Sequence, residues 1–159
     1  MSAGNGELIS VRIGGLEAGQ AGVTFRTLLG SCIGLAMYDR SARVGGLAHI
    51  VLPDSVGHEG PPGKFVETAV PELIRQIENL GGKRRNLRAK LSGGANMFSS
   101  DAPKTIGDRN LEAIQQALAE RGVPVMATHC GGTQGRRMTF DPATGAVRIE
   151  IVGREIIEL

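Results

Sequence analysis

Tryptophan is absent from the 159 residues, and the aromatic complement is one Tyr and four Phe. A chain this poor in rings offers no platform for stacking single-stranded bases, so the local basic run Lys83-Arg84-Arg85-Asn86-Leu87-Arg88 reads as a solvated face and no nucleic-acid partner is expected. The net charge of +2 is too small to call for a polyanionic partner of the whole domain. No window approaches the ~20 apolar residues that cross a bilayer, and the first thirty residues carry no basic segment followed by an apolar run and a cleavage site. No membrane insertion and a cytoplasmic location are therefore expected. Cysteine is scarce too: Cys32 and Cys130 build no disulfide framework, and neither belongs to a C-x-x-C pair. Together with His49 and the adjacent His129 they would make a Cys2His2 set, but not at the spacing of a zinc finger or ribbon, so no metal is expected. Neither G-x-G-x-x-G nor G-x-x-x-x-G-K-[ST] occurs; Gly93-Gly94, Gly107 and Gly131-Gly132 read as turns and close backbone approaches, and no cofactor is needed.

What is present fits one domain over residues 1–159, with a loose terminus at about 1–7. Alternation predicts a short strand over 8–13, and residues 23–29 run on into an apolar stretch that holds Cys32. A second apolar strand runs from Val44 through His49 to Leu52, and a Gly/Pro-rich segment containing His58 follows as a loop. Val66, Ala69, Val70, Leu73, Ile74, Ile77 and Leu80 repeat at i, i+3, i+4, i+7, the stripe of a helix packed on a sheet. Pro71 conflicts locally with that helix. A second amphipathic helix runs through Ile106, Leu111, Ile114, Ala117 and Leu118, with Asp108 as its N-cap. Strands at 87–91 and 123–128 and a hairpin around Asp141-Pro142-Ala143-Thr144-Gly145 complete the pattern. The fold class is α/β: a single-domain mixed or antiparallel β-sheet, or a sandwich, with two main helices packed on it.

Chemistry concentrates at Cys32 and His49. With Asp39-Arg40-Ser41-Ala42 as the hairpin loop, an antiparallel pairing sets Cys32 directly opposite His49, within reach of an imidazole that takes a thiol proton. The inference depends on register, because a one-residue slip turns the two side chains to opposite faces. Gly30, Cys32, Gly34 and Ala36 share the face with small side chains, open to a substrate. A buried cysteine without chemistry is the plain alternative. Gly30, Ser31 and Gly34 are the neighbours from which an oxyanion would draw backbone N–H donors, and an imidazolium at His49 would raise the thiolate fraction.

The ordered set Gly30-Ser31-Cys32, Gly45-Gly46-Leu47-Ala48-His49, Lys64-Phe65-Val66-Glu67-Thr68-Ala69, Ala89-Lys90-Leu91-Ser92-Gly93-Gly94-Ala95-Asn96-Met97, Ile106-Gly107-Asp108-Arg109-Asn110 and Gly131-Gly132 before Gly135-Arg136 resembles the bacterial chemoreceptor glutamine deamidases, the CheD family. The resemblance runs in order through nearly the whole chain. It implies hydrolysis of glutamine side-chain amides on methyl-accepting chemotaxis receptors, giving glutamate and ammonia. It further implies receptor methyl-ester hydrolysis, a CheC-type phosphatase as regulatory partner, and a fold similar to the catalytic domain of the cytotoxic necrotizing factor toxins. In that family a cysteine and a histidine act with a threonine. The first two fall on Cys32 and His49; the threonine position, six residues before the cysteine, holds Arg26 here, between Thr24 and Thr27. Thr27 is taken as the third residue, although strand alternation sets Arg26, not Thr27, on the face of Cys32 unless the chain bulges between them. His129 stands where the family carries an acidic residue. A non-catalytic adaptor that binds receptors or the phosphatase, and a thiol redox sensor using Cys32 and Cys130, are the rival readings.

Overall fold

A computed structural model describes residues 6–97 and 101–159. Residues 1–5 of the expected terminus lie outside them, and Glu7 already begins a strand. Among the described residues run β1 (Glu7–Ser10), β2 (Leu16–Gln20), β3 (Val23–Leu29), β4 (Ile33–Asp39), β5 (Val44–Ile50), α1 (Val66–Asn79), β6 (Arg88–Gly93), α2 (Ile106–Glu120), β7 (Val125–Cys130), β8 (Arg136–Phe140), β9 (Val147–Glu150) and β10 (Ile157–Glu158).

The strands form two five-stranded sheets, ordered β1-β3-β8-β9-β10 and β2-β5-β4-β6-β7. Most pairs are antiparallel; β1 with β3 and β6 with β7 are parallel. The sheets pack face to face through Phe25, Leu29, Met138, Phe140, Val147 and Ile149 of the first and Ala36, Tyr38 and Leu47 of the second. The opposite face of the second sheet packs Ile33, Leu35, Met37, Ala48 and Ile50 against α1 and α2. The α/β sandwich with two helices is thus the observed class. Because β4 and β5 are covered on both sides, every residue in them is buried, which is why they read as continuous apolar runs.

Helix α1 buries Val66, Ala69, Val70, Leu73, Ile74 and Ile77 of the expected stripe, with Pro71 in its second turn; Leu80, the last of that stripe, is the half-buried C-cap beyond it. For α2 the cap is corrected. Thr105, not Asp108, is the N-cap: its hydroxyl accepts from Asp108 N at 3.1 Å, while the Asp108 carboxylate accepts from Thr105 N at 3.0 Å. Asp108 is the far half of this capping box.

Two further differences matter for the site. The segment from Val23 through Cys32 is not one strand: the chain breaks at residues 30–32 and crosses from one sheet to the other, β3 on one side and β4 on the other. Strand β2, between the expected strands at 8–13 and 23–29, is an addition to the sequence pattern; it pairs with β5 and closes the edge beside it.

Candidate active site

The hairpin turn between β4 and β5 is Arg40 to Arg43, one residue later than the expected loop. Asp39 stays in the strand, pairs with Val44, and its carboxylate accepts from Ala42 N at 3.1 Å and Lys83 N at 2.9 Å; Arg43 closes the turn with φ 58°. Moving a turn by one residue moves the register by two, so His49 lies opposite Gly34, not Cys32. A two-residue slip preserves the face. Cys32 lies one residue ahead of β4, outside the paired residues and two positions before Gly34 in the chain.

His49 points between the sheets, on the same side of β5 as Leu47, and is 2% exposed. There it meets Thr27. In β3, Phe25, Thr27 and Leu29 face inward while Arg26 and Leu28 face out, and the crossing at residues 30–32 cancels the parity that set Arg26 beside Cys32. Thr27 Oγ1 lies 2.7 Å from His49 Nδ1 and 2.7 Å from the Val11 carbonyl. A hydroxyl has one proton. A carbonyl can only accept, so that proton goes to Val11, and the hydroxyl must accept from the ring. His49 is therefore the tautomer with hydrogen on Nδ1 and a free lone pair on Nε2. Burial also drives its pKa down to about 4, so the ring is neutral near pH 7. The expected imidazolium is replaced by a neutral base.

Cys32 is half-buried, and burial pushes its thiol up. Thiol and imidazole are both uncharged at rest, and no hydrogen bond joins them. Catalytic contacts of this kind commonly tighten only when substrate arrives. The loop holding Cys32 is fastened through its carbonyls: Gly94 N–H donates to Cys32 O and Ala95 N–H to Gly30 O, both at 2.9 Å. Among the described residues, the N–H groups of Ser31 and Cys32 donate to no backbone acceptor. Gly93 has φ 108°, and a Cβ there would lie 2.2 Å from Cys32 O, so only glycine permits the fastening. Gly34 faces the space between the sheets, where a Cβ would meet Met138 Sδ at 2.6 Å.

His129 and Cys130 stand apart from this pair. The Arg136 guanidinium donates to His129 Nδ1 at 2.9 Å and to the His129 carbonyl at 2.8 Å, and also holds the carbonyls of Gly131 and Gln134. Arg136 is thus a buried latch for the 131–134 loop, a role no sequence pattern had assigned. Cys130 packs against the helix-side core, and burial pushes its thiol up to about 11. Among the described residues no group of three or more His, Cys, Asp or Glu converges as a metal site.

Two clefts open beside the site. One, of about 560 Å³, is lined by Val11, Thr27 and His49 with Arg12, Arg26 and Arg137; the other, of about 530 Å³, by Gly30, Met97, Arg136, Arg137, Glu150 and Arg154. Exposed Leu28 separates them and lines both.

Known proteins resemble this chain throughout. The family described as CheD chemotactic sensory transduction matches residues 51–151, a span beginning two residues after His49. A probable chemoreceptor glutamine deamidase CheD of Clostridium kluyveri is 42% identical over 96% of this chain and 99% of its own length. One of Clostridium botulinum is 44% identical over 82% of this chain and 84% of its own. In architecture the chain is similar to a Neisseria meningitidis protein of the DUF152 family, with a TM-score of 0.50 at 13% identity, covering 80% of this chain and 64% of that one.

Proposed function

The chain belongs to the CheD family, and from that premise we propose that it hydrolyses glutamine side-chain amides on methyl-accepting chemotaxis receptors with Cys32 as nucleophile. His49 Nε2 takes the Cys32 proton as Sγ attacks the amide carbon. The tetrahedral oxyanion draws on the N–H groups of Ser31 and Cys32, in the loop that opens with Gly30; one such donor is worth ~10²–10³ in rate. Collapse breaks the C–N bond, and the imidazolium returns its proton to the departing ammonia. Water, deprotonated by the same ring, then cleaves the thioester to glutamate and free thiol. A receptor glutamate methyl ester presents the same acyl carbon with methanol as leaving group, so the second hydrolysis follows the same steps. A CheC-type partner seated on these clefts would compete with substrate.

Thr27 is a positioning residue. The observation that carries the reading is its hydroxyl, committed to Val11 O and so obliged to accept from His49 Nδ1, which leaves Nε2 as the base. Any buried imidazole N–H needs such a partner; what favours chemistry is that His49 also borders the cleft lined by Thr27 and Val11. The neutral resting pair makes this general-base catalysis rather than a preformed thiolate–imidazolium pair.

The test is peptide mass spectrometry of a receptor cytoplasmic fragment incubated with the protein. Gln-to-Glu conversion is expected with wild type and lost with Cys32→Ala and His49→Ala. Conversion undiminished in both variants would remove the mechanism, and a cellular chemotaxis role unchanged by Cys32→Ala would favour the adaptor.

A further inference from the structure

The clefts flanking Leu28 are unusually cationic for a protein of this net charge. Arg12, Arg26 and Arg137 line the cleft that holds His49, with no acidic residue among its walls. Arg136, Arg137 and Arg154 line the cleft that holds Gly30, where Glu150 is the single acid. Arg136 is engaged with His129 and the 131–134 loop. The other four are different. Arg12, Arg137 and Arg154 are exposed and Arg26 half-exposed, and among the described residues none lies within 4.0 Å of a carboxylate, although Arg137 faces Glu150 in the β8–β9 ladder. By contrast Arg148, on the same sheet, is paired with Glu158 at 3.5 Å.

Register explains the grouping. Arg26 and Leu28 alternate with the buried Thr27 on β3, and Leu28 pairs with Arg137 of β8, so the side chains next to the positioning threonine form one outward patch. Apolar Ile13, Leu28, Val152 and Ile156, each more than half exposed, lie between and around the arginines. Four unpaired cations around an apolar ridge match a ligand with several carboxylates and an apolar side chain.

We infer that Arg12, Arg26, Arg137 and Arg154 read carboxylates flanking the target glutamine, so that the substrate is an acidic glutaminyl segment whose apolar side chain packs on Leu28. The inference rests on the deamidase reading and gives its site a substrate class. On a helix, side chains three or four positions away stand about 5–6 Å from the glutamine, which places flanking glutamates over the rim while the amide enters between the sheets. The arginines act on capture, raising the local concentration of substrate, and their effect is screened by salt.

The experiment uses a receptor cytoplasmic fragment with glutamates three and four positions from a converted glutamine, beside the same fragment with those glutamates changed to alanine, or to lysine. The acidic fragment should be converted at about tenfold higher kcat/KM, mainly through KM, and raising salt from about 50 to about 300 mM should remove most of the difference. Arg26→Gln/Arg137→Gln should lose the preference and the salt dependence, with kcat within about twofold. Arg137→Glu should favour the lysine fragment, a recovery that a misfolded variant cannot show. Arg148→Gln should behave as wild type. Conversion by wild type that is indifferent to flanking charge and to salt would overturn this inference alone. Absence of any conversion by wild type would instead remove the deamidase reading, and the inference with it.

Discussion

The two faces of β5 do opposite work. Val44, Ala48 and Ile50 look toward α1 and α2 and belong to the apolar cluster there, whereas Leu47 and His49 look toward the other sheet, where a buried imidazole, a buried hydroxyl and a backbone carbonyl form a chain of hydrogen bonds. One strand thus packs apolar side chains and holds a buried imidazole on alternate residues. On the helix side the buried amide of Asn110 donates to the Val51 carbonyl at 2.9 Å. The inter-sheet face carries a ring whose proton location is fixed by the Thr27 hydroxyl.

The contrast breaks most sharply at Cys32. Cys32→Ala should lower Gln-to-Glu conversion by about 10³-fold or more with unfolding unchanged, checked by peptide mass spectrometry beside a denaturant melt. Leu73→Ala should do the reverse: Leu73 packs on Gly46 beneath the helix face, and its truncation should cost about 2–5 kcal/mol in a denaturant titration while conversion per folded molecule stays within about twofold.

Thr27→Val should touch both quantities, because it strands a carbonyl and a ring N–H. A loss of about 1–3 kcal/mol and of about 10–100-fold in kcat is expected, with Thr27→Ser recovering most of each. The pH dependence sharpens the same point. His49 titrates near 4 in the fold against an ordinary value of 6.5. Above 6.5 the ring is neutral folded or unfolded. Between 6.5 and 4 the unfolded chain takes up a proton that the folded one refuses, so stability falls with pH across that window, by about 3 kcal/mol at most. Melts from pH 7 to pH 4 should show this slope, and His49→Asn should remove it. Activity should hold as pH falls through 6.5 and decline only toward the lower value, since the free enzyme's base remains neutral until then. The smallest effect belongs to Cys130: Cys130→Ala should leave conversion within about twofold, and iodoacetamide at pH 8 should label Cys32 before it, because burial holds the Cys130 thiol near 11.

Much of this was legible in periodicity. The α1 stripe appeared from Val66 to Ile77 because a helix packed on a sheet repeats its apolar positions, with Leu80 just past the helix end, and β4 and β5 announced themselves by length and apolarity. Register was harder. The turn between them is set by the Asp39 side chain, whose carboxylate binds Ala42 N and the distant Lys83 N, a contact 44 residues away that no local pattern encodes. The same holds for Thr27. Alternation assigned it the wrong face because the chain changes sheets at residues 30–32, and that crossing is fixed by hydrogen bonds from Gly94 and Ala95, far along the sequence. Family resemblance pointed to a threonine near this position, and the sandwich, not the strand parity, brings Thr27 against His49. Val11 enters the hydrogen-bond chain through its carbonyl, which no side-chain pattern marks.

The most direct test is to quench the protein in acid during turnover of a glutaminyl receptor fragment and find the acyl intermediate by mass spectrometry. The account predicts a covalent adduct on the Cys32 peptide equal to the fragment less one ammonia, absent from Cys32→Ala. An adduct on Cys130, or steady conversion by Cys32→Ala, would contradict it.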